Sequence, residues 1–245
     1  MSRKKDKKAL IIPDVHVPYH DQKALELVFK AGRAFKPDII IILGDFIDNY
    51  SISRYDKDPK RDRFLKQEVE EANRVLDRID KLFPKAEKVF MEGNHEERLN
   101  SFIKNKAPEL FGLVDTQTLL GLKERGYKYY PYGKHHRLGK LVVVHGTIAR
   151  KNVSRAMLDK YEHSVCFGHV HTIEEALKVN EMGEAHVAFT PGWLGDKNKA
   201  DYIKDFSNWS LGFATAVVKP NGLFFHNIHR IVNYKCRLND KIISG

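Results

Sequence analysis

Five short apolar runs in this chain each stop at an aspartate, asparagine or histidine. The run from Ala9 to Pro13 leads into Asp14 and His16, Ile39 to Gly44 leads into Asp45, and Val89 to Gly93 leads into Asn94. Leu141 to Val144 leads into His145, and Val165 to Gly168 leads into His169 and His171. Short β-branched runs bounded by Gly or Asp read as buried strands. In α/β sheets, functional groups collect beyond the carboxyl ends of the strands. Five such strands deliver seven metal-capable side chains to one rim, which restricts the chain to a rigid sheet scaffold.

The spacing between the runs agrees with this. Ala24, Leu25, Leu27, Val28, Ala31 and Phe35 recur at helical intervals, with Asp21 placed to cap the helix and Lys36-Pro37 to stop it. Strand, helix and strand from Ala9 to Leu43 form a βαβ unit. A long helix is predicted from Phe64 to Leu82, a strand from Ala86 to Met91, and a further helix from Glu96 to about Lys104. Residues 48 to 62 read as a loop, and 107 to 126 as a short helix plus loops. Strands at Tyr127–Tyr132 and Leu141–Val144 are expected to be joined by the polar turn around Gly133. A helix from Asn152 to Tyr161 then leads to the strand Ser164–Phe167. Alternating strands follow at Glu174–Val179, Ala185–Thr190, Phe213–Lys219 and Leu223–Ile228, with Pro220-Asn221-Gly222 as a hairpin turn. Early βαβ units followed by hairpins predict two packed sheets with helices outside.

At 245 residues the chain holds one substantial core without a second domain, so residues 9–245 are expected to form one domain. No apolar run approaches the roughly 20 residues that span a bilayer, and the N-terminus lacks a secretory pattern. No membrane partner and a cytoplasmic location are expected, in the host cytoplasm if a phage encodes the chain. The two cysteines, Cys166 and Cys236, make no disulfide framework. The formal charge of +10 favours anionic partners, although residues 1–8, read as a disordered basic tail, hold five basic side chains against one acid.

Carboxylate, amide and imidazole donors without thiolate suit Mn²⁺, Fe, Zn²⁺ or Ni²⁺ over Ca²⁺ or Mg²⁺. Seven candidates exceed one tetrahedral centre and suffice for two divalent ions if a carboxylate bridges. The motifs Asp14-x-His16, Gly44-Asp45-x-x-Asp48, Gly93-Asn94-His95-Glu96, His145-Gly146 and Gly168-His169-x-His171 together resemble the calcineurin-like metallophosphoesterase superfamily. Stretches such as Pro18-Tyr19-His20-Asp21, Ser53 to Pro59 and Asn94 to Leu99 resemble its compact phage and prophage members.

The resemblance implies a four-layer α/β/β/α sandwich with two mixed sheets and the metal site at the strand rim. It implies that Asp14, His16 and His171 hold one ion, that Asn94, His145 and His169 hold a second, and that Asp45 bridges them. Manganese is the first expectation for both ions. Hydrolysis of a phosphate ester by metal-bound hydroxide is the implied reaction, with His95 protonating the leaving oxygen and Asp48 orienting its imidazole. Protein phosphatases of the superfamily carry arginines after the second motif and before the third; here Asn49-Tyr50 follows Asp48 and Glu92 precedes Gly93. Phosphodiester, nucleotide or nucleic-acid substrates, as for a nuclease, are therefore expected ahead of small phosphomonoesters or phosphoproteins. A nucleic-acid-binding accessory protein with a structural metal site is the alternative of another class. Arg54 and Arg98 are the candidate substrate-binding cations. Arg54 lies in a loop from Tyr50 to Arg63 that interleaves Tyr50 and Tyr55 with Lys57, Lys60, Arg61 and Arg63, a composition suited to stacked bases and phosphates. Trp193, Trp209 and seven other histidines, including His20, read as structural. The oligomeric state is open.

Overall fold

A computed structural model of the protein describes residues 5–57, 64–199 and 207–245. Arg3 and Lys4 of the basic tail, and Asp58, Pro59, Lys60, Arg61 and Arg63 of the following loop, lie outside the described residues. The described elements run β1 (Lys7–Ile12), α1 (Gln22–Phe35), β2 (Ile39–Ile42), α2 (Leu65–Leu82), β3 (Glu87–Met91), α3 (Asn94–Lys106), α4 (Thr116–Leu119) and β4 (Tyr127–Tyr130). Then follow β5 (His136–Leu138), β6 (Leu141–Val144), α5 (Val153–Tyr161), β7 (Val165–Phe167), β8 (Ile173–Val179) and β9 (Ala185–Pro191). The chain closes with β10 (Gly212–Val218), β11 (Phe224–Arg230), β12 (Lys235–Leu238) and β13 (Lys241–Ser244).

Two mixed sheets form, ordered β11-β10-β1-β2-β3-β4 and β5-β6-β7-β9-β8. Strand alternation explains how they stack. Leu10, Ile12, Ile40 and Ile42 point to one face, where they pack against Leu25 and Val28 of α1 and Val75 and Leu76 of α2. Ala9, Ile11, Ile39 and Ile41 point to the other face and meet Leu141, Val143, Cys166 and Phe189 of the second sheet. Val142, Val144, Val165 and Phe167 turn outward onto Val153, Met157 and Leu158 of α5. Both faces of each central strand are thus buried, as the unbroken Ile39–Ile42 run requires. Each such side chain contributes about 1.5–3 kcal/mol of transfer free energy. The α/β/β/α layering matches the expectation.

The parallel set β1-β2-β3 and the parallel set β6-β7 aim their carboxyl ends at the same rim. Asp21 caps α1 by accepting from the Ala24 N–H at 3.0 Å, and Lys36 closes it in the left-handed region. Three sequence expectations are corrected, and one element not predicted is added. Lys7 and Lys8 belong to β1, paired with Val218 and Val217, and not to a disordered tail. Strands β4 and β6 are not a hairpin: β4 extends the first sheet parallel to β3, whereas β6 lies in the second. The polar segment between them carries the chain across, and its three-residue β5 lacks the apolar run that would have announced it. Helix α3 starts at Asn94, placing His95 inside its first turn. The element not predicted is the β12–β13 hairpin, which covers α1 through Cys236 and Leu238; in β12 the apolar residues alternate with Lys235 and Arg237.

Candidate metal centre

All seven predicted ligands converge at the rim. Asp14, His16, Asp45 and His171 form one group whose ligand atoms lie within 4.8 Å of one another; Asp45, His145 and His169 form a second. Asn94 joins the second group, its Oδ1 lying 3.0 Å from His145 Nε2 and 2.7 Å from His169 Nδ1. Asp45 is common to both groups, with Oδ2 3.3 Å from His145 Nε2 and 3.9 Å from His16 Nε2.

The loops that carry these residues are strained. Asp14, His16, Asp45, His169 and His171 all have positive φ, between 36° and 75°, a region that costs a non-glycine residue about 1–3 kcal/mol. Mutual hydrogen bonds hold them there. Asp14 Oδ1 accepts from the His169 N–H at 2.8 Å, and the Asp45 carbonyl accepts from the His16 N–H at 2.9 Å. Glu96, fully buried, accepts from the N–H groups of Asp45, Phe46, Ile47 and Gly93 at 2.7–3.0 Å. Its place at the third helical position of α3 is the sequence signal for it, since a glutamate there reaches back to the residue before the helix. Glu96 is the structural residue that motif reading passed over. Two glycines are dictated by close approach: a Cβ on Gly93 would overlap the Asp45 carboxylate, and one on Gly168 would lie 2.5 Å from Asp14 Oδ2.

The donor set fits cations. His145 Nδ1 lies 2.8 Å from the Leu43 carbonyl, which only accepts, so Nδ1 carries the proton. In its neutral form the ring turns its Nε2 lone pair toward two further acceptors, Asn94 Oδ1 and Asp45 Oδ2. A proton or a metal ion at that point reconciles the three acceptors. Likewise His16 Nδ1 donates to Asp48 Oδ2 at 3.0 Å, leaving Nε2 facing His171 Nε2 at 3.0 Å. Asp14 Oδ2 is buried with no hydrogen-bond partner among the described residues. Burial pushes Asp14 up to about 8, against the pull of His145. Burial would lower His145, but Asp45 outweighs it and raises the ring to about 10. These are groups whose protons a divalent ion displaces. Burial lowers His169 to about 4, helped by His145, and takes His171 well below its ordinary value.

His95 and Asp48 lie beside the candidate ligands. His95 Nδ1 is 3.0 Å from the Asp48 carbonyl and 3.4 Å from its Oδ2, while Nε2 faces Asp45 Oδ2 at 3.8 Å. Burial would raise Asp48, but His95 and His16 hold its carboxyl far below the usual range. Arg98 donates to the Asp48 carbonyl at 2.8 Å and stands 3.0 Å from His95 Nε2. Trp193, buried, stacks on His171 with centroids 4.8 Å apart and planes at 15°, and Trp209 meets the same ring edge-on at 4.4 Å. Both tryptophans are packing aromatics, and they fix the His171 ring. Arg54 is elsewhere on the rim, over the ring of Tyr55. A cleft of about 1310 Å³ runs from Asn94, His95 and Arg98 between the 50–57 loop and α3 and includes Arg54. Among the described residues, no helix is long and apolar enough to cross a membrane.

Known proteins resemble this chain at low sequence identity. The Gene 54 protein of Mycobacterium phage L5 is 25% identical over 232 residues, covering 86% of this chain and 89% of the phage protein. The Gene 54 protein of Mycobacterium phage D29 is also 25% identical, over 234 residues, covering 88% and 90%. Among solved structures, the YfcE phosphoesterase from E. coli is 13% identical with a TM-score of 0.42, covering 90% of this chain and 98% of that one. Vacuolar Protein Sorting 29 from Cryptosporidium parvum is 10% identical with a TM-score of 0.49, covering 98% and 95%. The calcineurin-like phosphoesterase family model matches residues 7–173, which include all five strand ends and every candidate ligand described above, and the chain belongs to that family.

Proposed function

We propose that the protein is a two-metal phosphoesterase that hydrolyses phosphodiesters of the nucleotide or nucleic-acid type. The observation that carries the reading is the sharing of the Asp45 carboxylate between two groups of imidazole and oxygen donors. Asp14, His16 and His171 would hold one ion, Asn94, His145 and His169 the other, with Asp45 touching both. Manganese is the ion proposed for both sites, given donors of mixed oxygen and nitrogen character. When bound, two divalent ions supply Lewis-acid stabilisation of phosphoryl oxygens and a nucleophile ionised near neutral pH.

The chain's own residues do the rest. Asp48 fixes His95 through its Nδ1 side. The His95 Nε2 accepts from Arg98 at 3.0 Å and faces Asp45 Oδ2 at 3.8 Å, so it is free to carry a proton toward a phosphate over Asp45 once the guanidinium turns to that phosphate. His95 then delivers the proton that the leaving oxygen needs, a role worth about 10²–10⁴-fold. Arg98, anchored on Asp48, places a guanidinium next to that imidazole, where it grips a phosphate oxygen. Arg54 offers a second cation further along the cleft. Fitting the diester preference, the cleft exceeds the roughly 300–1,000 Å³ of small-molecule pockets.

The test is turnover of bis(p-nitrophenyl) phosphate against p-nitrophenyl phosphate with Mn²⁺, in the wild type, His95→Ala and Asp45→Ala. Diester hydrolysis that both substitutions remove supports the proposal. Turnover of the monoester alone overturns the diester preference, and turnover of neither ester overturns the enzymatic reading.

A further inference from the structure

One face of α3 begins at the metal centre and leaves it along the cleft. Asn94, Arg98, Phe102 and Asn105 recur at intervals of three and four, so they line one side of the helix. At 1.5 Å per residue, Phe102 stands about 12 Å from Asn94, and Lys106 about 18 Å. The opposite wall is the 50–57 loop, which contributes Arg54, Tyr55 and Lys57. Tyr55 and Phe102 are 64% and 40% exposed, so each presents ring surface to solvent beside the cleft. Lys57 spends its ammonium on the carbonyls of Tyr50 and Ser53, and Arg54 lies over the Tyr55 ring. Neither these two cations nor Lys106 pairs with a carboxylate among the described residues. The acids of the cleft are fewer: Asp56, Glu97, which accepts from Asn100 at 2.9 Å, and the buried Asp48.

We infer that this cleft is a binding groove for a single-stranded polynucleotide, whose bases stack on Tyr55 and Phe102 while Arg54, Arg98 and Lys106 follow its phosphates. The inference rests on the phosphoesterase reading for what happens at the metal end, and it specifies the substrate class. Determinants about 12–18 Å along the helix from Asn94 are out of reach of a phosphate monoester or a mononucleotide; only a chain continuing beyond the scissile phosphate meets them. Exposed aromatic rings in a recess select unpaired bases, because a duplex keeps its base faces stacked inside. Cations next to aromatic platforms are the general solution for sequence-tolerant single strands.

The experiment measures fluorescence anisotropy of a labelled oligonucleotide of about 12 nucleotides, within the usual span of such sites. The full chain is used with Mn²⁺ and with chelator, and turnover of bis(p-nitrophenyl) phosphate is followed in parallel. Single-stranded DNA or RNA is expected to bind, and the matching duplex to bind at least about tenfold more weakly. Tyr55→Ala and Phe102→Ala should each weaken binding about 5- to 150-fold, the range for loss of one stacked base. Phe102→Trp should restore it, and neither Phe102 variant should change turnover of the small diester, which does not extend the roughly 12 Å to that ring. Lys106→Ala should flatten the salt dependence by about 0.7 in the log–log slope, one phosphate's worth. Equal binding by the alanine variants, or by duplex, overturns the groove. Diester turnover without oligonucleotide binding overturns it too while leaving the phosphoesterase reading intact. Stacking-dependent binding without turnover of any ester supports the groove and overturns that reading instead.

Discussion

The carboxylate of Glu96 accepts a hydrogen bond from the backbone N–H of Asp45 at 3.0 Å. Its two oxygens also take the N–H groups of Phe46, Ile47 and Gly93, so one buried side chain joins the loops after β2 and β3. Asp45 needs that support, because its φ of 46° is unfavourable for any residue with a Cβ. Glu96→Ala would leave four buried donors without an acceptor, each costing about 1–3 kcal/mol. We predict a loss of at least about 3 kcal/mol in urea unfolding with chelator present. Mn²⁺ affinity should fall by about 10–100-fold, as for other residues that hold a metal ligand. Glu96→Gln keeps one acceptor oxygen and should fall between the wild type and Ala.

Metal binding should separate the roles of Asp45 and His95. An ion that binds only the folded chain at 100 times its Kd stabilises by about 2.7 kcal/mol. For a chain of this size that corresponds to a rise of about 5–10 °C in Tm. Titrating Mn²⁺ in a thermal melt should show this rise for the wild type and for His95→Ala, and a much smaller one for Asp45→Ala. A His95→Ala protein that loses both the shift and turnover would reassign His95 as a ligand.

Much of this site was legible because each strand announces its end. The unbroken Ile39–Ile42 run before Asp45 and the Leu141–Val144 run before His145 fix both a buried strand and the place where it stops. The motifs therefore located all seven side chains that converge at the rim. What escaped is what local pattern does not encode. The strain at Asp14, His16, His169 and His171 depends on partners up to 155 residues away, such as the Asp14–His169 bond. Arg98, expected to face substrate, also braces Asp48 and His95, a contact that only the fold reveals. Strands β5, β12 and β13 were missed because none carries more than two consecutive apolar residues: β5 is His-Arg-Leu, β12 alternates Lys and Arg with Cys and Leu, and β13 holds only Ile242-Ile243.

Gly168 offers a test of how closely the loops are fitted. It precedes His169, and a Cβ there would lie 2.5 Å from Asp14 Oδ2, a distance at which the carboxylate has to move. Its N–H also donates to the His145 carbonyl at 2.8 Å, so the segment has little room to shift. Gly168→Ala should therefore weaken Mn²⁺ binding by at least about tenfold, comparable with loss of a residue that orients a ligand. Isothermal titration reads this directly. An unchanged affinity would mean that Asp14 does not contact the ion through Oδ2.

The last prediction concerns pH and lies away from the candidate ligands. His20 is 4% exposed, and its Nδ1 has no hydrogen-bond partner among the described residues. Burial lowers its pKa to about 4, with Lys199 and Arg78 pushing the same way and Glu71 and Asp21 opposing. The unfolded chain, with an ordinary value near 6.5, takes up the proton first as pH falls. Between about pH 6.5 and 4 the unfolded state thus binds more protons at this site, and stability falls with falling pH. Above about pH 6.5 both states are neutral and the contribution is constant. At about 1.4 kcal/mol per pH unit the loss across the window reaches about 3 kcal/mol. Urea unfolding of the wild type and His20→Asn at about pH 7, 6, 5 and 4.5 checks this. The variant's stability should decline less steeply below about pH 6.5, and parallel curves would show that His20 titrates alike in both states.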